Sequence, residues 1–240
     1  MAGSCLLFIA TLDAWAGPPF VTDDPEPVEF HHWEIYFASM YNHGGDGTTG
    51  TAPHIDANYG IAAETHLNMT VPFAYASLSS ASHHFGLGDI DLGVKHRFLG
   101  ETAYCPQAAI FPHITLPTGN STDNLGLGHV SAFIPIWLQK SYGDWSTFAG
   151  GGYWFNKTAA GEKDYWQSGL VLQRNFGKAF SLGAEIFNFT QEETNAPAET
   201  GLNAGATINF NNENHLLLSV GTDASGPNAH FAYLAFQWTN

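Results

Sequence analysis

From residue 30 onward, apolar and polar side chains alternate with a period of two in runs of about ten residues, separated by clusters of Gly, Asn, Asp and Pro. The pattern predicts antiparallel strands over residues 30–41, 54–60, 65–75, 88–99, 107–116, 130–140, 145–155, 166–175, 180–189, 201–210, 215–221 and 229–238. The clearest alternation is in 88–99. There Ile90, Leu92, Val94, His96 and Phe98 face one way, and Asp89, Asp91, Gly93, Lys95 and Arg97 face the other. In 30–41, Trp33, Ile35, Phe37 and Tyr41 oppose His32, Glu34 and Tyr36. Residues 44–50 and a Ser- and His-rich stretch after residue 75 read as loops. Gly150, Gly151 and Gly152 weaken the strand at 145–155 unless it bends or meets a close neighbour. No stretch carries a convincing helical period, and no linker or repeat divides the chain.

An even number of strands about the length needed to cross a bilayer at a tilt suits a transmembrane barrel. The same strands could build a soluble sandwich, and composition separates the two. Charged residues make up 12% of the 240, against roughly 25% in an ordinary soluble domain. A sandwich needs Lys and Glu on its wet faces and edges. Here the polar faces carry mainly Gly, Ser, Thr, Asn, Gln and His. Aromatic residues fall at strand ends, at Trp33, Tyr41, Tyr75, Phe98, Trp145, Phe155, Trp166, Phe189, Phe210 and Trp238, where interfacial girdles would sit. The expected fold is therefore all-β: a single antiparallel up-and-down transmembrane β-barrel of about 12 strands, in contact with outer-membrane lipid. A helical membrane protein is excluded because no apolar run reaches about 18 residues. The net charge of −15 opposes nucleic-acid binding.

The N-terminus reads as an export signal. Residues 5–10 form an apolar run, and Ala14-Trp15-Ala16 supplies the small-x-small spacing before a cleavage site. No Lys or Arg precedes Lys95, so residues 1–16 read as the remnant of a longer signal peptide. Cys105 then has no intramolecular partner, which rules out a disulfide scaffold. Residues 17–29 form a Pro-rich acidic segment ahead of the barrel domain at 30–240. Pro18, Pro19, Pro25 and Pro27 keep it extended, with Asp23, Asp24, Glu26 and Glu29 between and beside them. It reads first as a solvated tether, and otherwise as a plug of the periplasmic mouth or an oxygen-ligand cation site. No EF-hand spacing is present.

Asp89, Asp91, Lys95 and Arg97 share one face of one strand, so neighbours two residues apart can pair and present mixed charge to a lumen. Glu34 and Glu185, on other strands, are candidates to join them. Two readings stay open: a constriction that selects solutes, or an internal salt-bridge cluster plugging a narrow barrel. The cost of unpaired interior charge tips the balance to the second. The 12 His residues read as neutral polar lining; His31-His32 and His83-His84 cannot chelate from regular strands, since adjacent residues point to opposite faces. No Gly-x-Ser-x-Gly elbow or triad spacing singles out a catalytic site, so no catalytic residue, metal or cofactor is expected.

The alternation of His230, Ala232, Leu234, Phe236 and Trp238 resembles the terminal aromatic signal read by the barrel-assembly machinery, although Thr239 and Asn240 follow it. More distinctive are residues 17–30 (GPPFVTDDPEPVEF), 32–36 (HWEIY), 86–98 (GLGDIDLGVKHRF), 111–119 (FPHITLPTG) and 135–143 (PIWLQKSYG). In these the sequence resembles the MetA-pathway of phenol degradation family of bacteria, over nearly the whole region after residue 16. The resemblance implies an outer-membrane β-barrel of a Gram-negative bacterium, transporter-like and able to pass small or aromatic molecules; it brings no catalytic motif. The expected function is passive uptake of small solutes, with a bias to aromatic or hydrophobic ones that the resemblance implies. The competing reading is a non-transporting barrel with a structural or lipase-like role.

Overall fold

The computed structural model describes residues 18–45, 47–78, 83–156, 162–194 and 196–240. The expected signal remnant at 1–16, with Gly17, lies outside the described residues, as do 79–82 of the Ser- and His-rich loop. The described chain forms one closed antiparallel barrel of 12 strands. These are β1 (Trp33–Gly44), β2 (Gly47–Ala62), β3 (Thr65–Leu78), β4 (His83–Leu87 and Ile90–Leu99), β5 (Gln107–Ile110 and His113–Leu116), β6 (Ser131–Tyr142), β7 (Trp145–Phe155), β8 (Tyr165–Phe176), β9 (Phe180–Phe189), β10 (Glu199–Asn209), β11 (Asn214–Ser225) and β12 (His230–Thr239). Each pairs with its sequence neighbours, and β1 closes on β12 with Phe37 opposite Phe236. Closure leaves no free edge, so backbone hydrogen bonding is satisfied without water.

Polarity is inverted relative to a water-soluble core. Leu67, Met69, Ile136, Leu170 and Leu234 are exposed on the outside, whereas Asn58, Asn68, Gln139, Gln173, Asn203 and Gln237 are buried within. This is what period-two alternation produces when lipid meets one face and a lumen the other. Trp33, Phe98, Trp145 and Phe210 are exposed near the end that carries both termini, and Tyr41, Phe155 and Trp166 near the opposite end, the two levels expected of girdles. Apart from the seven-residue connection 100–106, turns at the terminal end are short, and Gly143 and Gly177 supply the left-handed backbone that two of them require, at φ 59° and 64°. The longer connections, 117–130, 156–164 and 190–198, lie at the other end.

Strands β2 and β4 depart most from the sequence expectation, while β5 is interrupted at Phe111–Pro112 and β11 runs on to Ser225. β2 begins at Gly47, not at 54, because Thr48, Thr49 and Thr51 suit extended structure and continue the hairpin with β1 through a bulge between Ala38 and Met40. β4 extends back to His83 but is interrupted at Gly88–Asp89. The Gly150–Gly152 run persists in β7 because neighbouring strands press on it: a Cβ on Gly150 or Gly152 would strike the carbonyl of Ile136 or Ile134, and one on Gly151 that of Gln167.

Candidate functional site

The inward face of β4 carries Asp91, Lys95 and Arg97, as alternation requires. Their partners, however, lie elsewhere in the chain. Lys95 Nζ is 3.1 Å from Asp23 Oδ1 and 3.7 Å from Asp24 Oδ1. Arg97 Nη1 meets Glu26 Oε1 at 2.5 Å and donates to Gln107 Oε1 at 2.9 Å, while its Nε meets Glu64 Oε2 at 2.5 Å. Residues 18–29 are thus not the solvated tether expected from their composition. They run inside the barrel, with Thr22, Asp24 and Pro25 buried. An acidic chain is placed against the basic face of β4 because a buried ammonium requires a counter-charge.

The proline content makes this burial tolerable. Proline has no N–H to satisfy, and most of the remaining donors in the segment meet an acceptor. Val21 N and Thr22 N donate to the two oxygens of Glu185, at 3.0 and 2.5 Å, and Val28 N to His66 Nδ1 at 3.0 Å. Asp24 N and Glu26 N are taken by the carboxylates of Asp23 and Asp24. Ser219 Oγ donates to Pro19 O at 2.8 Å. The far wall is cut away to receive the segment: a Cβ on Gly183 would stand 2.6 Å from Phe20 Cζ, one on Gly205 would stand 2.9 Å from both Phe20 and Pro19, and one on Gly169 would collide with Thr22. Residues 18–29 therefore cross the lumen from Arg97 and Lys95 on β4 to Glu185 on β9. Burial pushes the Asp24 carboxyl well above the usual carboxylate range, and Lys95 opposes that push.

Beside the segment a cavity of about 1410 Å³ occupies the barrel interior. It reaches from Glu101, Lys140 and Asn240 at the terminal end to Asp56, Thr70 and Asp91. One flank is aromatic, where Phe133 stacks on Trp154 with centroids 4.6 Å apart and Phe111 and Trp137 complete the cluster. The other is polar: Gln237 and Asn58 donate to the Glu34 carboxylate, and Asn68 links Asn58 to Asp56.

The model of the family described as "Putative MetA-pathway of phenol degradation" matches residues 32–239. The chain belongs to this family. Among solved structures it is similar to the COG4313 outer membrane channel from Pseudomonas putida F1, with a TM-score of 0.71 at 15% identity, covering 90% of this chain and 98% of that one. It is also similar to the KdgM porin in complex with disordered oligogalacturonate, at a TM-score of 0.59 and 12% identity over 85% of this chain and 98% of that one. The translocator domain of the autotransporter NalP from Neisseria meningitidis gives a TM-score of 0.59 at 12% identity, over 87% of this chain and 88% of that one. At such identities these likenesses speak for the fold. No curated protein matches the sequence.

In this member of the family the six residues singled out from sequence do not form one cluster. Asp89 is withdrawn from the β4 face: its carboxylate accepts from Gly119 N at 2.9 Å and Leu127 N at 2.5 Å, pinning the 117–130 loop where β4 breaks. Asp91 accepts from Thr115 Oγ1 at 2.5 Å. Glu34 lines the same cavity as Lys95 but is held by amides, and Glu185 serves the backbone of residues 21 and 22. The expected pairing of β4 charges with one another fails because residues two apart on a strand are about 7 Å apart, while the inserted segment brings carboxylates within contact. Of the His pairs, His84 lies 3.2 Å from Asp123, and among the described residues no group of three or more His, Cys, Asp or Glu could hold a metal. Sequence reasoning missed Gly169, Gly183 and Gly205. Their signal was a glycine on the inward face of each of three consecutive strands, a mark of close backbone approach.

Proposed function

We propose that the protein is a passive channel of a Gram-negative outer membrane, with the terminal end of the barrel in the periplasm and residues 18–29 forming its constriction. One observation carries the reading: a closed barrel with a lipid-facing apolar exterior encloses an interior cavity of about 1410 Å³, bordered by residues 18–29. A barrel of this strand number is wider than the eight-stranded kind that side chains fill and narrower than the porins of 16–18 strands, so it would admit small solutes only. Solutes would diffuse past Lys95, Arg97 and the carboxylates that face them, with no energy source required. The likeness to an outer membrane channel and to a porin that holds oligogalacturonate supports the transport role. A bias toward aromatic or other hydrophobic solutes draws support from the family description and from the flank built by Phe111, Phe133, Trp137 and Trp154.

Liposome swelling tests the proposal. Vesicles containing the folded protein are expected to swell in isosmotic solutions of small solutes and to stay unchanged in solutes too large for the lumen. A barrel that migrates as folded yet passes no solute would overturn it.

A further inference from the structure

Four of the seven basic side chains of this acidic protein are answered by acids or an amide. Lys95, Arg97 and Lys140 meet Asp23, Asp24, Glu26, Glu64 and Glu101, and Lys163 donates to Gln191. Arg174 and Lys178 differ. Among the described residues neither side chain makes an ion pair or a hydrogen bond, and both are exposed in the β8–β9 hairpin at the terminal end of the barrel. Alternation turns Arg174 outward with Leu170 and Leu172, on the face that meets lipid. Its guanidinium lies 5.4 Å from the ring centre of Trp145, its register partner on β7, and 5.1 Å from that of Phe176. Phe176 in turn stacks on Phe180 of β9, with centroids 4.8 Å apart. Lys178 stands in the turn between those two phenylalanines. An arginine facing lipid is costly at mid-bilayer and tolerated near the interface, the level that these aromatic residues mark.

Chemistry and position point to the same ligand. Two rings anchor the guanidinium without using its N–H donors, which leaves the fork free for an oxyanion. No carboxylate of the described protein takes it, and the oxyanions found at the level of a girdle are lipid phosphates. A second feature lies farther along the same outer face. A depression of about 270 Å³ opens among Ser168, Leu170, Ile186, Asn188 and Thr200, outward positions of β8, β9 and β10. Leu170 is four residues from Arg174, about 13 Å along the strand. An acyl chain leaving a phosphate at Arg174 would therefore pass over Leu172 and reach this depression.

We propose that the outer face of β7–β9 is a binding site for a phospholipid of the leaflet at the terminal end, its phosphate held by Arg174 and Lys178 and an acyl chain laid along β8. The site belongs to the barrel's contact with the membrane and does not depend on conduction. Native mass spectrometry of the full-length protein, delipidated in detergent and then offered single lipids, tests it. The probes are phosphatidylglycerol and a diacylglycerol with the same chains, which keeps the acyl groups and lacks the phosphate. The unaltered protein is expected to retain phosphatidylglycerol several-fold better than diacylglycerol, and inorganic phosphate at millimolar concentration should not displace it. Arg174→Gln/Lys178→Gln is expected to bring phosphatidylglycerol down to the level of diacylglycerol. Should the double variant fail to migrate as folded, Arg174→Gln alone and the unaltered protein's preference between the two lipids decide the matter. Equal retention of both lipids by the unaltered protein overturns the proposal, as does a folded variant that keeps phosphatidylglycerol as well as its parent. Displacement by inorganic phosphate overturns it too, since the site would then bind the free anion. None of these results touches the channel reading, which solute flux decides.

Discussion

Lys95 Nζ lies 3.1 Å from Asp23 Oδ1, across 72 positions of sequence, with the lysine side chain only 5% exposed. This contact converts an acidic, proline-rich stretch from a tether into part of the barrel interior. The lysine on β4 and the carboxylates of residues 23 and 24 each make the burial of the other affordable.

Removing one partner should therefore be costly. Lys95→Met leaves Asp23 and Asp24 without their cation and is expected to destabilise the folded barrel by about 3–5 kcal/mol. Urea unfolding in vesicles would register this as a lower midpoint. An unchanged midpoint would mean that the segment does not depend on Lys95.

Arg97 should behave differently, although it makes more contacts. Glu26 and Glu64 are 46% and 48% exposed, so water and salt screen both pairs. Arg97→Gln is expected to cost only about 0.2–1 kcal/mol for each pair lost, and high salt should erase much of the difference. The same urea titration, repeated with and without added salt, checks this ordering of Lys95 above Arg97.

Filling the glycine-lined wall should expel the segment by sterics alone. In Gly183→Leu the new side chain occupies the place of the Phe20 ring. A cysteine introduced at position 22, where the native threonine is buried, with Phe20 kept and the native cysteines replaced, is expected to react slowly with a polar maleimide in the parent and much faster in the Gly183→Leu background. Equal rates would show that Phe20 is not held against β9.

Asp89 predicts a local effect at the opposite end. Its carboxylate takes two backbone N–H groups of the 117–130 loop. Loss of the acceptor in Asp89→Ala should loosen that loop at a cost of about 1–3 kcal/mol. Limited proteolysis should then cut within 117–130 while the barrel keeps its heat-modifiable migration.

The barrel was largely legible in the sequence because alternation is local. Each strand announces itself through residues two apart, as Leu92, Val94 and Phe98 do against Asp91, Lys95 and Arg97. The inserted segment was legible only as the second reading, a plug, because its contacts join residues far apart in the chain: Val21 to Glu185 spans 164 positions and Ser219 to Pro19 spans 200. Such pairs meet only once the last strand closes on the first. Asp89 was misread for a related reason. Alternation placed it on the β4 face, but the interruption at Gly88 and the loop amides at Gly119 and Leu127 give it partners that strand periodicity cannot reveal.

The central claim is a solute-conducting barrel constricted by its own N-terminal segment. Single-channel conductance in planar bilayers tests it most directly, comparing the full chain with a variant that lacks residues 18–29. The account predicts that both conduct and that the deletion raises the unitary conductance several-fold. A folded deletion variant with the same conductance as the full chain, or with none, would contradict it.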